Sequence, residues 1–307
     1  MFTFLTPAYN GGHTLGRLFK SLQSQTLKEF DWLIIDDGST DNTREIVEEF
    51  KAKTDFTISY VYKENGRKYS ALVEAKKYLS KPYVIIIDHD DEVLPECLEI
   101  FKKHIDLNPG IKEIRGRCLN AKMKLFGKYK FPKNQEFIDS TWHEMVLKLH
   151  NDEELLSCLK LTYFFEAVTV PEKIIFHDKI NYFNEGYFWS RIKNTKIRYI
   201  KNPVRIWHID SGISVTHDTK FITGLYNDIV GFKFFLDDNY RYFFWRPKYF
   251  LVQYIKLNIA SILVGYGFMK SHFLYDKGVN RLISLVLSPL TLMIYIKMKY
   301  IDKKFWR

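Results

Sequence analysis

Tyr83-Val84-Ile85-Ile86-Ile87-Asp88-His89-Asp90-Asp91 decides the fold. Its first five residues are apolar on both faces, the pattern of a strand buried inside a parallel sheet. The acids that follow gather at the carboxyl end of that strand. Towards the N-terminus the same design recurs. Trp32 to Ile35 is a second buried run and closes on Asp36-Asp37-Gly38-Ser39. Phe2 to Thr6 is a third and closes on Pro7 to Gly12. Thr14 to Gln25 sets Leu15, Leu18, Phe19 and Leu22 at helical spacing. Thr40 to Lys53 and Ser70 to Leu79 read as further helices, and Thr57 to Tyr62 as another strand. This alternation predicts an α/β fold, a mostly parallel sheet flanked by helices. Ligands of such sheets sit at the carboxyl ends of strands. The polar clusters Thr6 to Asn10, Asp36-Asp37 and Asp88 to Asp91 fall there.

The chain has 307 residues, 46% of them hydrophobic and 27% charged, a balance that excludes wholesale disorder and suits one large domain with an appendage. Cys97, Cys118 and Cys158 are too scattered for a disulfide framework or a zinc site and read as buried thiols. The chain opens directly on a strand-like run without a basic, then apolar, leader, so a cytoplasmic catalytic part is expected. The net charge of +10 is carried by the tail: residues 241–307 hold 12 Lys or Arg against 2 Asp or Glu, and the preceding 240 hold 34 of each sign. Such asymmetry points to an anionic partner, a membrane surface or nucleic acid.

Carboxylates at neighbouring strand ends repel one another, so a cation is expected among them. Hard oxygen ligands favour Mg²⁺ or Mn²⁺, which commonly also bridges substrate phosphates. Asp36-Asp37-Gly38-Ser39 reads equally well as a strand-to-helix turn with its own caps. Asp88 to Asp91 reads less comfortably as a solvated turn, because the apolar run before it sets it at the mouth of the core.

Four segments in this order and spacing, Thr6-Pro7-Ala8-Tyr9-Asn10, Ser21-Leu22-Gln23-Ser24-Gln25-Thr26, Asp36-Asp37-Gly38-Ser39-Thr40-Asp41 and Asp88-His89-Asp90-Asp91, resemble the serial signature of family-2 glycosyltransferases. The resemblance is firm over residues 1–120 and looser over 160–215. It implies a GT-A fold, with a nucleotide-sugar-binding part at about 1–120, an acceptor side at 121–240, and residues 241–307 as a C-terminal helical, basic-aromatic extension. It implies an inverting, metal-dependent transfer of a sugar from a nucleotide donor, expected to be UDP-linked. Asp37 would recognise the base, and Thr6, Pro7, Tyr9 and Asn10 would line base and ribose. Asp88 would meet the ribose and diphosphate, and Asp90 and Asp91 would hold Mn²⁺ or Mg²⁺. His89 fills the variable position and reads as a bystander. Arg67 and Lys68, before the third helix, match a basic position near the diphosphate, where the helix N-terminus adds partial positive charge. They read as readily as an exposed basic loop, with Ser70 as N-cap either way.

Asn184-Glu185-Gly186-Tyr187-Phe188-Trp189-Ser190-Arg191-Ile192 resembles the family segment in which an acid starts a helix, and Lys196 to Trp207 resembles the strand after it. Glu185 is then the implied general base, which takes the proton of the attacking hydroxyl. The family often has a second acid or a small residue next. Here it is Gly186, with Asp178 as the fallback acid. Trp142-His143-Glu144 reads as part of an amphipathic helix with Trp142, Met145, Val146 and Leu149 inward, ahead of an acceptor-binding role. His208 reads as a buried histidine before a third metal ligand.

The tail's uncharged runs, Leu257 to Met269 and Leu282 to Ile296, fall short of the ~20 residues of a spanning helix. Flanked by Tyr, Trp, Lys and Arg, they suit an interfacial or re-entrant pair on an anionic leaflet, ahead of packing on the core. Nucleic acid is not an expected partner. The expected function is transfer of a sugar to a lipid-linked or growing glycan in bacterial surface polysaccharide assembly, on the inner face of the cell membrane. A nucleotidyltransferase would need a Gly-rich basic signature that residues 6–12 lack. A glycan- or membrane-binding module without catalysis would have no use for the retained acids.

Overall fold

The computed structural model describes residues 1–127, 129, 131–151, 153–169, 188–189, 195–208, 221–266 and 274–297. The chain divides into two compact units. One comprises Met1–Val170 and Ile192–Ser214, the other Pro171–Arg191 and Val215–Arg307.

The first unit begins with β1 (Phe2–Ala8), α1 (Leu15–Gln23), β2 (Phe30–Asp36), α2 (Thr43–Lys51), β3 (Ile58–Tyr62), α3 (Arg67–Ala75) and β4 (Tyr83–Ile86). It continues with β5 (Glu92–Val93), α4 (Cys97–Leu107), β6 (Glu113–Asn120), β7 (Phe137–Ser140), β8 (Leu155–Lys160), α5 (Leu161–Ala167) and β9 (Ile197–Trp207). The nine strands form one sheet in the order β3-β2-β1-β4-β8-β6-β9-β5, with β7 also on β9. The first four strands are parallel, as their buried apolar runs predict. Beyond β4 the sheet is mixed: β8 runs antiparallel to β4 and β6, and β6 parallel to β9. Polar residues interrupt the strands there, so none gives a continuous apolar run, which is why their order was not legible in the sequence.

The core lies on the first four strands and the helices covering them. Phe2, Phe4, Trp32, Ile34, Ile85 and Leu18 are fully buried. Phe19 of α1 stacks on Phe50 of α2 at 4.1 Å between ring centroids. Cys97, Cys118 and Cys158 are buried free thiols, and burial pushes all three above the usual thiol range. Gly116 of β6 permits a close approach: a Cβ there would sit 2.2 Å from Val204 of β9.

Glu144–Lys148 is a π turn. Met145 and Leu147 are buried while Leu149 is 46% exposed. The inward set therefore differs from the Trp142, Met145, Val146, Leu149 stripe of an α-helix, because the wider turn changes the angular step between side chains. Glu144 folds back to accept from Ser140 Oγ (2.9 Å) and Thr141 N (3.1 Å).

The second unit contains α6 (Phe221–Asn239), a 3₁₀ turn (Tyr240–Trp245), α7 (Pro247–Leu263), α8 (Gly278–Val286) and α9 (Ser288–Ile296). Among the described residues no single helix is long and apolar enough to cross a membrane. The α8–α9 pair passes by length and composition but is bent by 52°.

Candidate active site

The strand ends of β1, β2 and β4 converge through hydrogen bonds between their loops. Asp37 N donates to Ala8 O at 2.8 Å, continuing the β1–β2 ladder past Asp36. Asn10 lies in the left-handed region (φ 49°), which asparagine tolerates better than most residues. Its N–H donates to Ser39 Oγ (2.9 Å) and its Oδ1 accepts from Thr40 N (2.8 Å). Gly38 turns the chain at φ 84°, and a Cβ there would sit 2.7 Å from Asn65 N. Thr6 is fully buried, and its hydroxyl accepts from Trp32 Nε1 at 2.9 Å. It faces the sheet interior, while Tyr9 and Asn10 are half-buried at the rim. Pro7 is buried between them, in register with Ile35 of β2.

Asp37 is 3% exposed. Its Oδ1 accepts from Lys63 Nζ (2.7 Å), Gly66 N (2.9 Å) and Ser70 Oγ (3.4 Å). Those bonds pull the start of α3 forward. The helix begins at Arg67 with Gly66 as its cap, so Ser70 sits inside the first turn instead of capping it. Lys68 of the same turn reaches the other acid cluster, with Nζ 2.6 Å from Asp88 Oδ1. Burial alone would raise Asp88, but Lys68, then Arg205, draw its carboxyl down to about 2. The folded pKa thus lies below the ordinary carboxylate value. The pairing's stabilisation is present at neutral pH and is lost only as pH falls towards 2.

The remaining acids have distinct surroundings. Asp91 is buried, with Oδ2 2.5 Å from Arg205 Nη2 and Oδ1 accepting from His208 N at 3.1 Å. Burial pushes its carboxyl up, and Arg205 pulls against that. Asp90 is half-buried, and its backbone carbonyl accepts from Arg17 Nη2. Among the described residues its carboxylate meets no donor or cation. His89 bonds Thr14 Oγ1 through Nδ1 at 2.8 Å, and burial lowers its pKa, so the neutral ring fastens the acid loop to the start of α1. His208 Nε2 lies 2.7 Å from Glu92 Oε1, which commits that ring to β5.

The Ser21 to Thr26 segment also finds its purpose. Ser21 Oγ accepts from Val93 N (3.2 Å), Gln25 Nε2 donates to Leu94 O (2.8 Å), and Thr26 N donates to Pro95 O (3.0 Å). It clamps the chain just after the acid loop.

Lys63, Arg17 and Arg205 were not foreseen. Arg205 carried a signal: it lies between Val204 and Ile206 in a strand that buries Val204, and a charge held in such a place needs a buried partner. Arg67 occupies the left-handed region at φ 67°, a strained conformation for a residue with a Cβ, and among the described residues its guanidinium meets no partner. Arg67→Gly is expected to leave thermal stability unchanged or higher and to raise KM for the donor several-fold. Thermal melting and steady-state kinetics on one preparation would check this. An unchanged KM would remove Arg67 from the donor site.

Among the described residues no three His, Cys, Asp or Glu side chains are grouped as a ready metal site. A divalent ion bridged to phosphate needs only one or two protein carboxylates. Asp90, whose carboxylate has no hydrogen bond or ion pair among the described residues, and Asp88, held ionised, fit that smaller requirement. Glu185, Asp178 and Ser211 to Ser214 lie outside the described residues.

The fold and the strand-end acids define a class. Residues 3–111 match the family model described as Glycosyl transferase family 2, and through this region the chain belongs to that family. It is 37% identical over 212 residues to a Mycoplasma pneumoniae protein described as "Uncharacterized glycosyltransferase MG060 homolog", covering 65% of this chain and 66% of that one. It is 28% identical over 218 residues to the GalNAc(5)-diNAcBac-PP-undecaprenol beta-1,3-glucosyltransferase of Campylobacter jejuni, covering 69% and 66%. The matched region thus spans just under two thirds of these two relatives. Among solved structures, residues 1–349 of S. aureus TarS in complex with UDP-GlcNAc superpose with a TM-score of 0.61 at 15% identity, covering 100% of this chain and 93% of that one. The mannosyltransferase PcManGT of Pyrobaculum calidifontis, in complex with GDP-Man and Mn2+, gives 0.56 at 14% identity, covering 97% and 87%. At these identities the likeness is one of fold, and it is the GT-A fold that the resemblance of the four motifs implied.

Proposed function

We propose that this chain transfers a sugar from a UDP-linked donor to a hydroxyl of a lipid-linked or growing glycan, with inversion, at the cytoplasmic face of the membrane. One observation carries the reading: the first turn of α3 is held between Asp37 (Gly66 N, 2.9 Å) and Asp88 (Lys68 Nζ, 2.6 Å). A base recognised at Asp37 would then run its phosphates past a helix N-terminus and two cations towards Asp88 and Asp90. The solved TarS complex with UDP-GlcNAc supports a uridine donor. The named activity of the C. jejuni relative, on an undecaprenol-linked glycan, supports the acceptor class.

In this reading Asp37 accepts from the base, and Arg67 and Lys68 neutralise the diphosphate. Asp90 with Asp88 would hold Mg²⁺ or Mn²⁺, which stabilises the charge on the leaving diphosphate as a Lewis acid. Asp91 keeps Arg205 and the His208 backbone in place, which fixes the loop carrying Asp90. Glu185 takes the acceptor proton.

Calorimetric titration of UDP into the wild type and Asp37→Ala tests the donor site. Binding is expected to weaken about tenfold or more, since a charged hydrogen bond is worth about 1.5–3 kcal/mol. Unchanged affinity in a folded variant would remove Asp37 from the site. Release of nucleoside diphosphate from a panel of nucleotide sugars would then identify the sugar.

A further inference from the structure

The α8–α9 pair is packed with its polar side inward. Its buried residues are Asn280, Ser284, Ser288 and Thr291, each 7% exposed or less. They fall at i, i+4, i+8 and i+11, one stripe along two consecutive helices. Asn280, Ser284 and Ser288 are hydrogen-bonded within the unit, while the buried Thr291 Oγ1 meets no partner among the described residues. Tyr254 OH donates to Asn280 Oδ1 (2.6 Å), Asn280 Nδ2 to Asp237 Oδ1 (2.8 Å), and Ser284 Oγ to Asn258 Oδ1 (2.9 Å). The outer face is apolar: Leu282, Leu285, Val286, Leu290, Met293 and Ile296 are between 40% and 72% exposed. A helix in water turns its apolar stripe to the core, so this inversion calls for an apolar medium outside.

The rim of the face says which medium. Lys277, Arg281 and Lys297 are exposed at its ends, and from 277 to 297 there is no acidic residue. A second copy packed on the same face about a two-fold axis would bring these cations together. A bilayer with anionic headgroups meets both halves of the pattern, the apolar face and the basic rim. Nor does the pair reach across as it is folded. Two arms of nine residues, each about 14 Å long and set at a bend of 52°, fall short of the ~30 Å hydrocarbon core. We propose that the outer face of α8–α9 inserts into one leaflet of an anionic bilayer while the Asn280–Thr291 stripe stays sealed against α6 and α7. This sharpens the membrane-face location proposed above. Its test is independent of the catalytic assignment, because vesicle binding and donor turnover are read separately.

The test is sedimentation of the full-length protein with phosphatidylcholine vesicles, with or without phosphatidylglycerol, at low and high salt. The wild type is expected to bind the anionic vesicles, to release them as salt rises, and to bind the neutral ones weakly. Lys277→Ala and Lys297→Ala should each weaken binding about 5-fold. The double variant Leu282→Glu, Val286→Glu should weaken it more than about tenfold, leaving release of nucleoside diphosphate unchanged. As a check that needs no disruptive change, Val286→Cys can be labelled with a polarity-sensitive thiol dye, because all three native cysteines are buried. Its emission should shift to the blue on anionic vesicles. A wild type that ignores anionic vesicles at low salt overturns the proposal, as does a label that does not respond. Self-association abolished by the Glu variants, with vesicle binding intact, would assign the face to a second copy instead.

Discussion

Glu185→Gln is expected to lower sugar transfer by about 10²–10⁴-fold, the usual contribution of a general base. The substitution keeps the shape and removes the charge. An inverting transfer needs one group to take the proton as the hydroxyl attacks, and the diphosphate leaves without protonation if a cation neutralises it. The deficit should therefore fall on kcat, with KM for the donor nearly unchanged, because in the proposed reading other residues, Asp37, Lys68 and Asp88, would hold the nucleotide. A Glu185 that serves only as a first-turn acid of a helix would give a different result. Its loss would cost about 1 kcal/mol of stability or less and leave turnover near normal. Steady-state kinetics with melting curves separate the two. A folded variant with near-normal kcat would end the assignment and make Asp178 the next residue to substitute.

Asp90→Asn should produce the second large effect, a loss of about 10²–10³-fold in turnover together with the response to added Mn²⁺ or Mg²⁺, since Lewis-acid stabilisation is worth several kcal/mol. Its stability should hardly change, because among the described residues the carboxylate meets no partner. Asp91→Asn is the contrast. Asp91 and Arg205 are both nearly buried at 2.5 Å, and breaking a buried pair costs about 3 kcal/mol or more. That variant should melt markedly lower, and any loss of turnover should track the unfolded fraction. Metal titrations and melting curves on both variants decide the outcome. Full wild-type activity in excess EDTA would show that protein cations, Arg67 and Lys68 first, neutralise the diphosphate alone.

The strands β1 to β4 and the helices between them were legible in the chain because each is specified locally. A parallel strand buried on both faces is a continuous apolar run, and its end is marked where acids and turn residues begin. That marking also made the site legible: Asp37, Asp88 and Asp90 stand at strand ends, and strand ends are where open α/β sheets bind. The mixed half of the sheet was not legible, since polar residues interrupt the apolar runs of β6, β8 and β9 irregularly and these strands pair at long range.

Residue types and their order along the chain therefore determined the family, the parallel half of the sheet and the acids around the site. Only the tertiary structure decided what each acid has beside it. Asp88, Asp90 and Asp91 look alike in the sequence, yet Asp88 meets Lys68, Asp91 meets Arg205 and a backbone N–H 117 residues away, and the Asp90 carboxylate has no hydrogen bond or ion pair among the described residues. The tail shows the same division. Its apolar run was plain to read, but the outward turn of that run depends on Asn258 of α7 holding Ser284 and Asp237 of α6 holding Asn280. Hydropathy along a chain is a local property, whereas which face of a helix is buried depends on the partners that distant segments bring to it.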